Sequence, residues 1–411
     1  MAIKIERIQK TLTDVSKFGC TQDQGTTRLS YSKEFLAAQA YLAEAMQAAG
    51  LQVKRDGIGN LIGTLVGKNP ALPAVMSGSH LDTVPQGGNF DGILGVTAAL
   101  EVARSWQEEG YVPERSLQVI ALVEEEGTAF GRACFGSQVR SGALQSEDPQ
   151  KIKCLYSDAT LADLLRQAGY PANALKEAAV GFKELAAYVE LHIEQGMELE
   201  EKGYPSGIVT HIVGYDRLHI ELSGEANHAG TTAMHHRKDA LAAASCIVLG
   251  VQDLARQDKR FVATVGKLTV EPCVPNIVPG KVSMCIETRS YDDKILKEVR
   301  EYVNDIIAAA CEDNDVSFQI SGDFHNPAVP LSGEIVKLST ECARSLNIRT
   351  MKMPSWAGHD AQIFASAGVP TGMLFVPSVK GISHAKEEFS RAEDILVGVT
   401  LLEALLKKLT M

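Results

Sequence analysis

The sequence predicts an α/β fold: a mainly parallel sheet with helices on both faces, and a second α+β domain inserted into the first. Three observations predict it. Short runs such as residues 117–123, Leu-Gln-Val-Ile-Ala-Leu-Val, are almost continuously apolar, as strands covered on both faces must be. Such runs alternate with segments of helical period, the order of a parallel sheet. Between 210 and 326 the alternation gives way to β-α-β-β-α-β, the ferredoxin-like order, and then resumes. The expected division is therefore 1–209 with 327–411 as the first, discontinuous domain, and 210–326 as the insert. A chain of 411 residues is too long for one simple core.

Taken in order, residues 5–17 and 32–49 have helical period, with Ser32 as N-cap and Gly50 as stop. Residues 51–54 and 60–65 read as strands joined at Asp56-Gly57. Residues 72–76 are a short apolar strand that leads through small residues to Ser79-His80-Leu81-Asp82-Thr83. A helix over 93–109 presents Leu94, Ala98, Val102 and Trp106, and strand 117–123 stops at Glu124-Glu125-Glu126-Gly127. A helix over 158–168 and a strand over 186–193 follow. In the insert, strands over 217–223, 261–270, 281–289 and 316–321 surround helices over 238–256 and 292–312. Helices over 334–345 and 358–367, a strand over 370–376 and a closing helix over 393–409 complete the chain.

Composition excludes several classes. A formal net charge of −11 argues against nucleic acid or an anionic membrane as partner. No window reaches the ~18 apolar residues of a membrane span. The N-terminus has no signal-type apolar core, so the cytoplasm is the expected compartment. The eight cysteines are scattered without a Cys-x-x-Cys pair, which predicts free thiols rather than a disulfide framework.

Chemistry concentrates where strands end. His80, the Glu124–Glu126 run and His192 all stand at carboxyl ends of expected strands, where α/β folds bind ligands. Asp91 lies in the turn Asn89-Phe90-Asp91-Gly92, and His384 in Gly381-Ile382-Ser383-His384 after the last strand. Imidazoles with carboxylates are the donor set of a divalent metal. His80, Asp91, Glu126, His192 and His384 exceed what one four-coordinate ion needs, so a carboxylate bridging two ions is the economical arrangement, and Asp91 could be it. Period-two geometry puts Asp82 on the same side as His80, behind its ring. Of the three glutamates one is expected to ligate and one to act as base, with Glu125 and Glu126 the best placed. In the insert, Asn227-His228-Ala229-Gly230-Thr231-Thr232 reads as a binding loop, or as an N-cap built from Thr231 and Thr232. Arg289 offers a fork for a substrate carboxylate, or simply a surface ion pair, and Asn276 sits in a nearby loop.

Together these segments, with Glu190-Leu191-His192-Ile193-Glu194-Gln195-Gly196 and Gly358-His359-Asp360-Ala361, resemble the M20-type dinuclear metallohydrolases. Within them the match is to the branch of allantoate amidohydrolase and N-carbamoyl-L-amino-acid hydrolase, and it runs from about residue 15 to the C-terminus. His192, where peptidase relatives usually carry a carboxylate, and Gln195 point to this branch. The resemblance implies two divalent ions (Zn, Mn or Co), one held by His80, Asp91 and His192, the other by Asp91, Glu126 and His384. Asp82 would orient His80. Glu125 would be the general base and then the acid. His228, supplied across a homodimer, would stabilise the oxyanion. Gln195, His228, Asn276, Arg289, Gly358 and His359 would bind substrate, Arg289 on its carboxylate. The insert would carry the dimer contact and close over the site. Two departures are visible: Ala233 stands where a Pro usually follows Thr-Thr, and Thr128-Ala129-Phe130 where many relatives have Ser-Arg-Phe.

The implied activity is hydrolysis of a ureido C–N bond in a small carboxylate substrate, with release of ammonia and carbon dioxide. The competing readings are a dipeptidase or amino-acylase on the same scaffold, and a metal-dependent small-molecule binding protein without catalysis.

Overall fold

The computed structural model describes residues 3–171 and 173–411. By their contacts these fall into two compact units: one comprises the chain up to Thr210, Pro330–Met353 and Ala357–Met411, the other His211–Val329 and Pro354–Trp356.

Four parallel strands form the centre of the first unit's sheet, in the spatial order Leu117–Leu122, Ala74–His80, Leu185–Ile193, Thr371–Val376. Every residue of Ala74–His80 and of Thr371–Val376 is buried, the result of cover on both faces. The two-residue period sorts Leu185–Ile193 between them. Val189, Leu191 and Ile193 enter the main apolar core, which helices Ile93–Glu109 and Ala392–Leu409 share. Tyr188, with Glu190 and His192 on the same side, meets helix Asp360–Ser366: its ring stacks on Phe364 at 3.9 Å between centroids and 8° between planes.

The sheet is mainly parallel at its centre, as the sequence predicts, and antiparallel at its flanks. Gln52–Arg55, Leu61–Leu65 and Ser206–Ile212 all pair antiparallel, at its flanks. Strands Ser206–Ile212 and Thr350–Ser355 escape the sequence reading; the second carries Lys352 and Pro354, which argue against a central strand. Pro73 has no N–H to give, so the strand expected from 72 begins at Ala74, whose amide reaches Glu184 O at 2.9 Å, and it continues through Gly78 to His80. The helix expected from 158 starts at Leu161, because Thr160 and Asp163 form a capping box. Ser32 caps its helix as expected, accepting from Phe35 N at 3.1 Å.

The second unit has strands Gly214–Ser223, Phe261–Glu271, Lys281–Ser290 and Ser317–Asn326, with helices Ala240–Gln257 and Asp293–Asp313 after the first and third. All pairings are antiparallel, and the spatial order is fourth, first, third, second. Gly214–Ser223 alternates strictly, sending Leu218, Ile220 and Leu222 to Ala244, Ile247, Val303 and Ile307 of the helices. Asp239, not Thr231 or Thr232, caps the first of these helices, accepting from Leu241 N and Ala242 N. Among the described residues no helix is long and apolar enough to cross a membrane.

Candidate functional site

Parallel strands bring their carboxyl ends to one edge, and the candidate ligands follow the strand order. His80 is the last residue of its strand, His192 the last but one of the next, and Glu124–Glu126 follow Leu117–Leu122 after Val123. Asp91 comes from the turn before helix Ile93–Glu109. Gly92 holds that turn at φ 66°, and a Cβ there would lie 2.4 Å from the His80 ring, so only glycine lets Asp91 approach His80 this closely. Asp91 Oδ1 lies 3.3 Å from His80 Nε2 and 3.1 Å from His192 Nε2. Its Oδ2 lies 3.4 Å from His384 Nε2, which is 3.4 Å from Glu126 Oε2. Two trios result, His80–Asp91–His192 and Asp91–Glu126–His384, each with donor atoms within 4.8 Å of one another. Asp91 belongs to both, one oxygen to each.

The outer contacts fix these rings. His80 Nδ1 is 3.0 Å from Asp82 O and His192 Nδ1 2.9 Å from Ile193 O. A carbonyl can only accept, so each Nδ1 donates a proton to it, and Nε2, the nitrogen that faces Asp91, is the one left to ligate an ion once its own proton is lost. This corrects the expectation for Asp82: its main-chain oxygen orients His80, while its carboxylate, 3.9 Å from Nδ1, accepts the amides of Glu125 and Glu126 at 3.1 Å each. Asp82 thereby sets the turn carrying the glutamates.

The electrostatics are those of a cation site. Burial works against charge on His192, yet the Asp91 bond outweighs it and holds the ring at about 9. The Asp91 bond likewise lifts His384 to about 9. Burial alone would raise Asp91, but His192 and the other imidazoles drive it well below the usual carboxylate range. Burial, then the Asp91 charge, pushes Glu126 up, and its Oε1 is buried with no hydrogen-bond partner. Imidazole and carboxylate donors that converge with an orphaned oxygen fit a divalent-metal site. A further trio, Glu190, His192 and His359, is geometrically close. Its carboxylate, however, is taken by Ser79 Oγ, Tyr188 Oη and Ala361 N.

Glu125 stands beside the ligands without joining either trio. It is buried, with Oε2 3.8 Å from His80 Nε2 and Oε1 3.5 Å from the Cys134 thiol, and burial pushes its carboxyl up to about 8. Glu124 turns away, accepting from Ala129 N and Phe130 N. Gln195 Nε2 donates to Asp91 Oδ2 at 2.8 Å, so its amide rests on a candidate ligand. Gly358 leads into His359, whose ring sits edge-on to His192 at 4.5 Å. Burial and the neighbouring His192 hold His359 well below its ordinary value.

Three candidates lie in the second unit. His228 and Asn276 are neighbours there: His228 pairs with Ile277 across two short strands, and Ala229 N reaches Asn276 O at 2.9 Å. His228 Nδ1 accepts from Gly230 N and Thr231 N at 3.0 and 3.2 Å, which leaves the ring proton on Nε2. Arg289 is half-buried and engaged, with Nε and Nη2 on Glu287 at 2.8 and 2.7 Å and Nη1 on Trp356 O at 3.1 Å.

The family model "Peptidase family M20/M25/M40" matches residues 76–408. The chain belongs to this M20 family. Within it, similarity runs the full length to named amidohydrolases. The chain is 37% identical over 407 residues to allantoate amidohydrolase of Escherichia coli (strain K12), covering 98% of each. It is 38% identical over 405 residues to N-carbamoyl-L-amino acid amidohydrolase of Geobacillus stearothermophilus, covering 97% of each. A crystal structure of an amidase of the hydantoinase/carbamoylase family from Burkholderia multivorans matches with a TM-score of 0.92 and 31% identity, over 100% of this chain and 98% of that one.

Some residues around these candidate ligands escape a reading by strand ends. Glu388 is buried against the Asp91 turn, although the run Lys386-Glu387-Glu388 looks like surface charge. Buried Asp360 takes the Ser137 hydroxyl at 2.5 Å and is pushed up to about 8 by burial and then Glu190. Only the Gly-His-Asp-Ala motif pointed to it.

Proposed function

We propose that this M20 member is a metal-dependent amidohydrolase that cleaves the ureido C–N bond of a small carboxylate substrate, allantoate or an N-carbamoyl-L-amino acid, releasing ammonia and carbon dioxide. The observation that carries the reading is Asp91, shared by two ligand trios with the non-ligating carboxylate of Glu125 beside them. His80, Asp91 and His192 would hold one ion, and Asp91, Glu126 and His384 the other. Two ions bound there would polarise the carbamoyl oxygen and lower the pKa of an attacking water.

Glu125 takes the proton of that water and returns it to the leaving nitrogen. Burial holds its carboxyl up at about 8, near enough to neutrality to take and to return a proton, and His80 alone among its close neighbours works against that rise. Gln195 and His359 border the site; Gln195 steadies Asp91 and His359 stays neutral, able to donate or accept to the substrate. Asn276 and Gly358 complete the substrate contacts. His228, with its proton on Nε2, is a ready donor to a developing oxyanion. Arg289, its Nε and one Nη2 hydrogen held by Glu287 and one Nη1 hydrogen by Trp356 O, keeps one N–H on each Nη for the substrate carboxylate.

The second unit is read as a ferredoxin-like dimerisation and lid domain of a cytoplasmic homodimer, which supplies His228 to the partner's site. The test is ammonia release from allantoate and from N-carbamoyl-L-amino acids, after metal stripping and reconstitution with zinc, manganese or cobalt. Turnover of acylated amino acids or dipeptides but of no ureido acid would overturn the assignment.

A further inference from the structure

We propose that Glu388 is a positioning residue that clamps the bridging Asp91 to the His384 loop, and so secures the second ion, between Asp91, Glu126 and His384, in preference to the first. The inference rests on the two-ion reading above.

Glu388 grips Asp91 twice. Its Oε1 accepts the amides of Phe90 and Asp91 at 2.8 and 2.9 Å, which fixes the main chain of the turn. Its Oε2 lies 2.9 Å and Asp91 Oδ2 2.8 Å from Ser383 Oγ, so the single proton of that hydroxyl is held between the two carboxyl oxygens and links the side chains. Oδ2 is the oxygen that faces His384. Ser383 adjoins His384 in sequence, and Glu388 N closes a turn onto Ala385 O at 3.0 Å just beyond it. One carboxylate therefore ties together the two loops that must meet at the second ion. Its neighbours Lys386 and Glu387 are exposed, whereas Glu388 is 5% exposed, so its burial follows from these bonds and not from its surroundings in sequence.

The first ion depends on it less. His80 and His192 are buried in central strands and oriented by main-chain carbonyls. His384 sits on a loop with its side chain 49% exposed, and a weakly held ligand gains most from an outer clamp. Outer partners of metal ligands typically change affinity by about 10–100-fold.

The test is metal binding. Wild type, Glu388→Ala, Glu388→Gln and Ser383→Ala are dialysed against a chelator-buffered zinc series, and ions per chain are counted by mass spectrometry. Circular dichroism of the metal-free forms checks the fold. Wild type is expected to hold two ions. In Glu388→Ala the second weakens by about 10–100-fold while the first stays within a few-fold. Glu388→Gln keeps a carbonyl oxygen for the two amides and is expected to weaken the second ion less. Equal weakening in Glu388→Ala and Glu388→Gln would mean that charge, not the clamp, matters, and would overturn the inference. Retention of both ions by Glu388→Ala, or parallel loss of both, would overturn it too. Should Glu388→Ala not fold, Ser383→Ala decides: an unchanged second ion refutes the clamp. A wild type that binds fewer than two ions overturns the two-ion reading, and this inference with it.

Discussion

Replacing Glu125 by Gln isolates proton transfer from metal binding. The amide has nearly the shape of the carboxylate, and Glu125 is in neither ligand trio, so the site should remain assembled. Its main-chain anchors are untouched by the change: Glu125 N still donates to Asp82 Oδ1 at 3.1 Å, and Glu125 O still accepts from Cys134 N at 2.7 Å. What disappears is the capacity to take a proton. A positioned acid–base group contributes about 10²–10⁴-fold, or about 3–5 kcal/mol of barrier at 1.36 kcal/mol per tenfold. Steady-state ammonia release is thus expected to fall by at least a hundredfold in kcat, with KM within a few-fold. Ions per chain, counted by mass spectrometry after gel filtration, should match wild type. A variant within tenfold of wild-type kcat would refute Glu125 as the base. One that is inactive but has lost an ion would show it to be a ligand.

Further outcomes follow from the same geometry. His384→Ala should remove one ion and Asp91→Ala both, as read by metal content; loss of a single ion from Asp91→Ala would deny the bridge. Asp82→Ala strands one buried and one partly buried amide that now hold charge-assisted bonds, each worth about 1.5–3 kcal/mol, so a loss of about 3 kcal/mol is expected in denaturant unfolding. A Cβ at Gly78 would meet Ile120 O at 1.9 Å, so Gly78→Ala should destabilise by more than about 2 kcal/mol and misplace His80; wild-type stability would contradict that packing. For pH, folded His192 and His384 stand at about 9, against about 6.5 for a free imidazole. The folded state then binds protons that the unfolded chain releases, so stability falls as pH rises. The Tm of the chelator-treated protein should therefore drop between about pH 6.5 and 9, while metal-loaded protein, whose imidazoles have already given up those protons, should not follow. A flat metal-free profile would exclude these pairings.

The sequence by itself determined the elements whose cause is local. The helix Ile93–Glu109, the Ser32 cap, the continuous apolar runs of the parallel centre and the alternating strands of the second unit all carry their period or cap in adjacent residues. It also placed His80, the glutamates and His192 at strand ends, since a parallel sheet brings such ends to one edge whatever the loops do. Tertiary structure decided what depends on residues far apart in the chain. That Asp91 gives one oxygen to each trio depends on His80, His192, Glu126 and His384 meeting from four segments. That the Asp82 carboxylate serves the glutamate turn while its carbonyl serves His80 is a difference of less than 1 Å in reach, 3.0 against 3.9 Å, which no periodicity encodes. Glu388 reads as a surface charge until the loop carrying it is folded against the Asp91 turn, 297 residues away in sequence. Residue type and spacing fix which donors are available, but a hydrogen bond is made or lost within a fraction of an ångström.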